Sequence, residues 1–179
     1  MDSSAVPAEF ERLIAENYER VFGVLYRLLG DREEAADLTQ DTFVNAYRAR
    51  AGFRGDCQAS TWLYRIAVNL AKNRLEGLRR QAGHRLDPEA GAEWEERVPQ
   101  EGPGPAEHML SRELGHTVAA AVLRLRPDYR EAVILREYEE LSYEEIAVVC
   151  GCSVPAVKSR LFRARAMLRS WLGRYLEAE

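Results

Sequence analysis

The sequence predicts an all-α protein of two small helical domains joined by an acidic, Pro/Gly-rich linker, the second being a helix-turn-helix domain. Apolar residues recur every three or four positions in residues 1–80 and again in residues 109–179. Residues 81–108 between them hold four of the seven prolines and four glycines. In the C-terminal part, the spacing of small and turn residues is typical of two helices that cross at a tight turn.

Length and composition indicate a soluble protein that forms a core. The chain has 179 residues, of which 46% are hydrophobic, and a net charge of −4. The longest apolar run, residues 118–123, is too short to span a membrane, and the N-terminus has neither a basic nor an apolar signal region. Three cysteines form no disulfide framework. We therefore expect a cytoplasmic protein without direct membrane insertion.

The first two helices are predicted from apolar spacing and capping residues. Apolar side chains from Phe10 to Leu29 follow one face of a helix, and Gly30 fits a C-terminal cap. Asp31 with Glu34 then predicts a capping box, which opens a second helix running to about Arg50. Residues 52–56 contain two glycines and break the pattern.

A third helix is predicted to begin with Ser60 as its cap. Its inner face would carry Leu63, Ile66, Ala67 and Leu70. Its outer face would carry basic and amide side chains, with an aromatic residue at its start: Trp62, Arg65, Asn69, Lys72 and Asn73. Such a face suits phosphates and unstacked bases, but it also fits a solvated surface with the aromatic ring turned into the core.

Charge is distributed unevenly along the chain. Residues 61–80 hold five basic residues against one acidic residue, and residues 156–176 hold six basic residues and no acid. Residues 81–108 hold seven acidic residues against two basic ones and lack an apolar period, which is why we predict a linker there. Two basic helical segments around an acidic stretch indicate two surfaces for a polyanion.

The C-terminal domain is predicted to contain four helices. A helix from about residue 107 to 125 precedes a short helix that starts near Pro127. Ser142 with Glu145 predicts a capping box, while Ser153 caps a further helix that has a proline in its first turn. Ala147, Gly151 and Val157 then have the spacing of a helix-turn-helix.

The last helix carries the stronger binding prediction. Its inner face holds Val157, Leu161, Ala164, Leu168 and Trp171. The side chains predicted to point outward near its N-terminal half are Ser159, Arg160 and Arg163, with Lys158 and Arg165 beside them. Arginine reads guanine edges and binds phosphates in the major groove. A helical hairpin inside a bundle remains the alternative.

Three segments together resemble the extracytoplasmic-function (ECF) branch of bacterial sigma factors. They are DREEAADLTQDTFVNAYRA, FRGDCQASTWLYRIAVNLAKNRL and LREYEELSYEEIAVVCGCSVPAVKSRLFRARAML. The resemblance runs from about residue 9 to residue 176. It implies a transcription initiation factor that works with the largest subunits of core RNA polymerase, with promoter DNA and with a membrane-bound or soluble anti-sigma factor in a stress or envelope response.

The resemblance also implies a role for particular residues. The expected contacts with core polymerase are Asp37, Gln40, Asp41 and Phe43. Those with the promoter −10 element are Phe53, Arg54, Ser60, Trp62, Arg65, Asn69, Lys72 and Asn73. Those with the −35 element are Arg136, Lys158, Ser159, Arg160 and Arg163. The resemblance thus implies that residues 1–80 bind polymerase and the −10 element and that residues 109–179 bind the −35 element. Residues 81–108 would be the linker between them.

One departure from the family pattern precedes the helix-turn-helix. Glu139 and Glu140 stand where the family usually has an acidic residue and a glycine. The added charge would either weaken phosphate contacts or favour a basic protein partner.

Other functional classes are less consistent with the residues. An ordinary helix-turn-helix regulator would use residues 1–80 to dimerise or to bind a ligand. An enzyme is disfavoured because those residues offer no catalytic pair and no phosphate-binding loop. Cys150 and Cys152 lack a second cysteine pair or histidines at ligand spacing, so we expect neither a metal nor another cofactor.

Overall fold

A computed structural model describes residues 7–53, 55, 57–81 and 106–176, and within the last range the side chains of residues 114–173. All regular structure in these ranges is helical, which confirms the predicted all-α class. The helices are α1 (Ala8–Leu29), α2 (Arg32–Ala49), a 3₁₀ turn (Arg50–Gly52), α3 (Ala59–Gln81), α4 (Ala106–Arg124), α5 (Pro127–Glu137), α6 (Tyr143–Cys150) and α7 (Val154–Leu176). Most of the predicted linker and residue Arg54 lie outside the described residues.

The N-terminal domain is a bundle of α1, α2 and α3, each packed against the other two. Helix α1 ends at Gly30, whose φ of 73° is left-handed, as predicted. The carboxylate of Asp31 accepts hydrogen bonds from the backbone N–H groups of Glu33 and Glu34 and so caps α2. Only this half of the predicted capping box forms, because the Glu34 carboxylate binds the guanidinium of Arg74 on α3 instead.

Helix α3 differs from its predicted start and its predicted inner face. It begins at Ala59, and the N–H of Trp62 donates to the carbonyl of Gln58, so Ser60 lies within the first turn and is not the cap. Tyr64 and Val68 are fully buried, whereas Ile66 and Leu70, predicted to point inward, are half-buried. The inner face is rotated because α3 also packs against α6 of the other domain.

The C-terminal domain consists of α4 to α7, with α6 and α7 forming the predicted helix-turn-helix. Ser142 and Glu145 form both halves of the capping box, and these hydrogen bonds hold the pKa of Glu145 below its usual value. Gly151 is left-handed with a φ of 64°. Glu140 is also left-handed, with a φ of 57°, a backbone conformation that favours glycine.

The two domains pack directly against each other. Helix α1 contacts α4 and α5, and α3 contacts α6. The guanidinium of Arg130 in α5 donates to the carbonyl of Leu28 in α1 and to those of Leu123 and Leu125 at the end of α4. Burial lowers the pKa of Arg130 to about 10. One arginine thus joins the C-terminal ends of helices from both domains.

Within the described ranges, no helix combines the length and apolar content that a bilayer span requires.

Candidate nucleic-acid interface

The outer face of α7 presents a basic and polar surface. Lys158, Ser159 and Arg163 are all exposed near its N-terminal half. Arg163 makes a weak hydrogen bond to the hydroxyl of Tyr129, with 3.4 Å between Nη1 and the oxygen. Because α7 crosses α6 in a helix-turn-helix, these side chains occupy the positions that enter a major groove in proteins of that architecture.

Arg136 belongs to the same surface although it comes from α5. Its guanidinium donates to the carbonyl of Leu141 at 2.7 Å and lies 5.2 Å from the centre of the Tyr143 ring. Lys158 Nζ lies 5.9 Å from the centre of that ring. The fold therefore places Arg136 and Lys158 beside the same tyrosine, although the two residues are far apart in the sequence.

Arg160 departs from its predicted orientation. Its side chain is only 24% exposed, and its Nε lies 3.9 Å from Oδ2 of Asp128 on α5. Its Nη1 is buried and has no hydrogen-bond partner among the described residues. The reason is its register: position 160 follows the buried Val157 by three residues and precedes the buried Ala164 by four, so it lies at the inner edge of the helix.

Phe162 is a candidate contact that the sequence analysis missed. It is 76% exposed and lies on the basic side of α7, where Lys158, Arg165 and Arg169 surround it. An exposed aromatic ring on a basic surface can contact the methyl group of thymine. The sequence could have indicated this exposure, because Phe162 is a large apolar residue one position outside the inner face that Leu161 and Ala164 define.

Helix α3 carries the second polar surface. Arg65, Asn69 and Asn73 are exposed along one side of it, as predicted. At its start the half-buried rings of Phe53 and Trp62 lie 4.8 Å apart between centres. Paired aromatic rings beside basic and amide side chains form a surface on which unstacked bases can stack. Ser60 is half-buried in the first turn of the same helix.

Lys72 does not lie on this outer face. Its side chain is 30% exposed, and its Nζ lies 3.1 Å from Oε2 of Glu131 in the other domain. The same ammonium donates to the carbonyl of Cys150 at 3.3 Å. Burial raises the pKa of Glu131, while the charge of Lys72 opposes that shift. The contact with the C-terminal domain therefore keeps the ammonium of Lys72 partly buried.

A third surface, on α2, is acidic. Asp37, Gln40 and Asp41, which the resemblance implies as polymerase contacts, are exposed on it. Phe43 is not part of it, because its side chain is only 6% exposed and its ring stacks on Tyr18 in the core. Val44, which is 46% exposed, contributes an apolar side chain to this surface. Val44 lies three residues after Asp41 and seven after Asp37, and this helical spacing predicts that the three side chains share one face of α2.

Cys150 and Cys152 lie on either side of the turn residue Gly151. Cys150 is buried, and burial raises its pKa to about 12, so the thiol stays protonated near neutral pH. No group of three or more His, Cys, Asp or Glu side chains is arranged to hold a metal in the part of the chain that the structure describes.

Two protein-family models match this chain, one in each domain. The Sigma-70 region 2 model matches residues 13–81, and the Sigma-70 region 4 model matches residues 116–168. The chain is 40% identical over 163 residues to the RNA polymerase sigma-H factor of Pseudomonas aeruginosa, covering 87% of this chain and 82% of that one. It is also 40% identical over 158 residues to the ECF RNA polymerase sigma-E factor of Escherichia coli K12, with the same coverage.

Solved structures agree with these matches. The sigma factor RpoE in complex with the anti-sigma factor NepR from Bartonella quintana aligns with a TM-score of 0.70 at 25% identity, covering 92% of this chain and 97% of that one. CnrH in complex with the cytosolic domain of CnrY aligns with a TM-score of 0.67 at 27% identity, covering 96% and 92%. With a region 2 bundle and a region 4 helix-turn-helix in this order, the chain belongs to the ECF branch of the sigma-70 family of RNA polymerase sigma factors.

Proposed function

We propose that this sigma factor binds core RNA polymerase through α2, recognises a −10 element with α3 and its preceding loop, and recognises a −35 element with α7. The observation that carries the proposal is the presence of two separate DNA-compatible faces, one on each family region. The α3 face carries Arg65, Asn69 and Asn73, and the α7 face carries Lys158, Ser159 and Arg163. Promoter binding at both elements places polymerase and allows DNA melting to begin.

Base readout at the −35 element is assigned to Arg163, Ser159 and Phe162. Arg163 is exposed and can form two hydrogen bonds to a guanine edge, whereas Phe162 can contact a thymine methyl group. Lys158 and Arg136, on either side of Tyr143, are assigned to phosphates. Arg160 is assigned to holding α7 against α5 through Asp128.

The −10 element is assigned to the start of α3. Trp62 and Phe53 form an aromatic wall beside the loop, against which an extruded base can stack. Arg65, Asn69 and Asn73 extend along the helix toward the following nucleotides. Ser60, in the first turn of α3, and Arg54, which lies outside the described residues, are proposed as further contacts with the −10 element.

We expect an Asp41→Ala, Val44→Ala double variant to weaken binding to core polymerase by about tenfold or more while unfolding at the wild-type temperature. Both side chains are exposed, so their removal affects an interface and not the core. Fluorescence anisotropy of labelled sigma factor titrated with core enzyme gives the affinity. Phe43→Ala is the matched contrast, because loss of a buried phenylalanine should lower stability by about 3–5 kcal/mol. Wild-type core affinity in the folded double variant would remove α2 from the interface.

The sigma factor is proposed to be held inactive by an anti-sigma factor until a stress or envelope signal releases it. The related RpoE of Bartonella quintana was solved with an anti-sigma factor bound, which supports this assignment. We further propose that the protein acts in the cytoplasm, where polymerase and DNA are found, and that it catalyses no reaction itself.

We propose that the acidic linker predicted at residues 81–108 joins domains 1–80 and 109–179, with its ends overlapping α3 at Gln81 and α4 from Ala106 onward. Limited trypsin and Glu-C digestion of the isolated protein should cut first within this range and release two helical fragments. Proline, glycine and acid content disfavour a packed structure there. First cleavage inside α1, α3 or α7, with residues 81–108 intact, would contradict the division.

Run-off transcription is the test of the function as a whole. Purified core polymerase should initiate at promoters taken from the source genome only when this protein is added. An ordinary helix-turn-helix regulator would instead bind symmetric half-sites as a dimer without polymerase. Promoter-specific transcripts that do not require the protein would therefore refute its assignment as a sigma factor.

A further inference from the structure

The first turn of α5 lies against the N-terminal half of α7. Asp128 and Tyr129 come directly after Pro127, at which α5 begins. Oδ2 of Asp128 lies 3.9 Å from Nε of Arg160. The guanidinium of Arg163 donates to the hydroxyl of Tyr129, with 3.4 Å between Nη1 and the oxygen. The start of α5 therefore contacts two arginines that lie about one turn apart on α7.

Tyr129 combines a buried ring with a hydroxyl that contacts the outer side of α7. Its side chain is buried, and the guanidinium of Arg126 lies 5.4 Å from the centre of its ring. Buried tyrosines usually place their hydroxyl on a hydrogen-bond partner, and among the described residues that partner is Arg163. A phenylalanine would fill the same space in the core. Apolar packing therefore does not account for the hydroxyl.

Arg163 lies at the border between the buried and the exposed sides of α7. It stands between the exposed Phe162 and the fully buried Ala164. Arg160, about one turn earlier, is turned inward, whereas Arg163 stays exposed. The bond from Tyr129 thus comes from the buried side of the helix and holds the guanidinium without covering it.

The bond to Tyr129 leaves the guanidinium able to bind a base. It involves Nη1 of Arg163, so Nε and Nη2 keep their donors in the planar fork that matches O6 and N7 of guanine. The same bond raises the pKa of Arg163, so the group stays charged. An anchor at one nitrogen is therefore compatible with base readout by the other two.

We propose that Tyr129 is a positioning residue for −35 recognition: it holds Arg163 in the orientation that presents Nε and Nη2 to a guanine. This inference rests on the proposed function of α7. An arginine loses rotamer freedom when it is immobilised on a base, and a side chain that is already restrained loses less of it. A weak hydrogen bond is sufficient for this role, because it limits the rotamers of an exposed side chain and does not have to stabilise the fold.

Tyr129→Phe tests the hydroxyl alone. The ring stays in place, so the thermal melt should match that of the wild type. Loss of the restraint should reduce the preference for guanine by about twofold to about tenfold, the range expected for ordering one flexible side chain. The loss arises only where Arg163 is immobilised on a base. Base preferences at the other positions of the −35 element should therefore stay as they are.

The measurement uses holoenzyme reconstituted with core polymerase and a promoter whose −35 element has been randomised. Sequencing of the bound and the unbound DNA gives the base preference at every position. Arg163→Ala first identifies the position that Arg163 reads, because the preference for guanine disappears there. Tyr129→Phe should lower the guanine preference at that same position. Combined with Arg163→Ala, it should cause no further change.

Tyr138→Phe is the matched control. Tyr138 directly follows α5 and is 40% exposed, and the guanidinium of Arg27 from α1 lies 4.3 Å from the centre of its ring. The substitution removes a hydroxyl at the other end of the helix, beside α1. It should leave the base preference at every position unchanged.

Nitrogen relaxation NMR of the arginine side chains measures the restraint directly in the isolated protein. The order parameter of the Nε–H bond should be higher for Arg163 than for Arg169, an exposed arginine further along the same helix. In Tyr129→Phe the value for Arg163 should fall to that of Arg169. A purely structural role of Tyr129 in the core would not produce this selective change.

A folded Tyr129→Phe variant with the wild-type preference for guanine would overturn the proposal. An equal loss of preference at every position would also overturn it, since that indicates a general shift of α7. A higher preference for guanine would show that Tyr129 withholds Arg163 from DNA. These results leave the base preference of the wild type, and so the proposed function of α7, intact. A wild-type holoenzyme without preference at any position would instead refute the proposed −35 recognition and this inference with it.

Discussion

Replacing Arg163 with alanine is expected to lower transcription from promoters that depend on a −35 element by about 5-fold to about 150-fold. The range corresponds to about 1–3 kcal/mol for a lost bidentate contact with a base. Arg163 is exposed and the hydrogen bond of its side chain to Tyr129 is weak, so the fold should tolerate the change. Run-off transcription with reconstituted holoenzyme measures the loss, and binding to core polymerase should not change.

Two other substitutions distinguish base readout from attraction to phosphate. Lys158→Ala should weaken binding to cognate and scrambled −35 DNA alike and reduce the salt slope by about one. Arg169→Ala removes an exposed arginine further along the same helix and should have little effect on either template. Equal losses on cognate and scrambled templates for Arg163→Ala would reassign Arg163 to a phosphate contact.

Arg130→Met is expected to lower the free energy of unfolding by about 3 kcal/mol. The guanidinium donates to three carbonyls at helix ends in both domains, and hydrogen bonds to charged groups contribute about 1.5–3 kcal/mol each. Part of this loss is offset because the buried guanidinium no longer has to be removed from water. Methionine preserves much of the apolar stem but offers no donor. Urea unfolding followed by circular dichroism measures the change.

Arg126→Met is the control for this change. Arg126 precedes the same helix, is exposed and pairs with Asp128 at 3.5 Å on the surface. Exposed ion pairs contribute at most about 1 kcal/mol, so its unfolding midpoint should stay close to that of the wild type. Equal urea unfolding midpoints for the Arg130 and Arg126 variants would mean that the hydrogen bonds of Arg130 to the ends of α1 and α4 do not stabilise the fold.

Local signals in the sequence determined the helices and most of their ends. Ser142 with Glu145, Gly30 and Gly151 act on backbone groups within a few residues, so their effects do not depend on the rest of the fold. The spacing of Ala147, Gly151 and Val157 is equally local, and the helix-turn-helix forms as predicted. The family followed from motifs that occur in one order along the chain.

Only the tertiary structure decided which way several polar and aromatic side chains point. Phe43 and Val44 are neighbours in one helix, and packing against Tyr18 decided that the first is buried. The side chain of Arg160 points toward Asp128, and that of Lys72 points toward Glu131. The carboxylate of Glu34 binds Arg74 and does not complete the capping box. Periodicity specifies one apolar face for each helix, but α3 and α7 each pack against more than one neighbour. The rotation of such a helix, and therefore the set of side chains left for DNA, depends on partners far away in sequence.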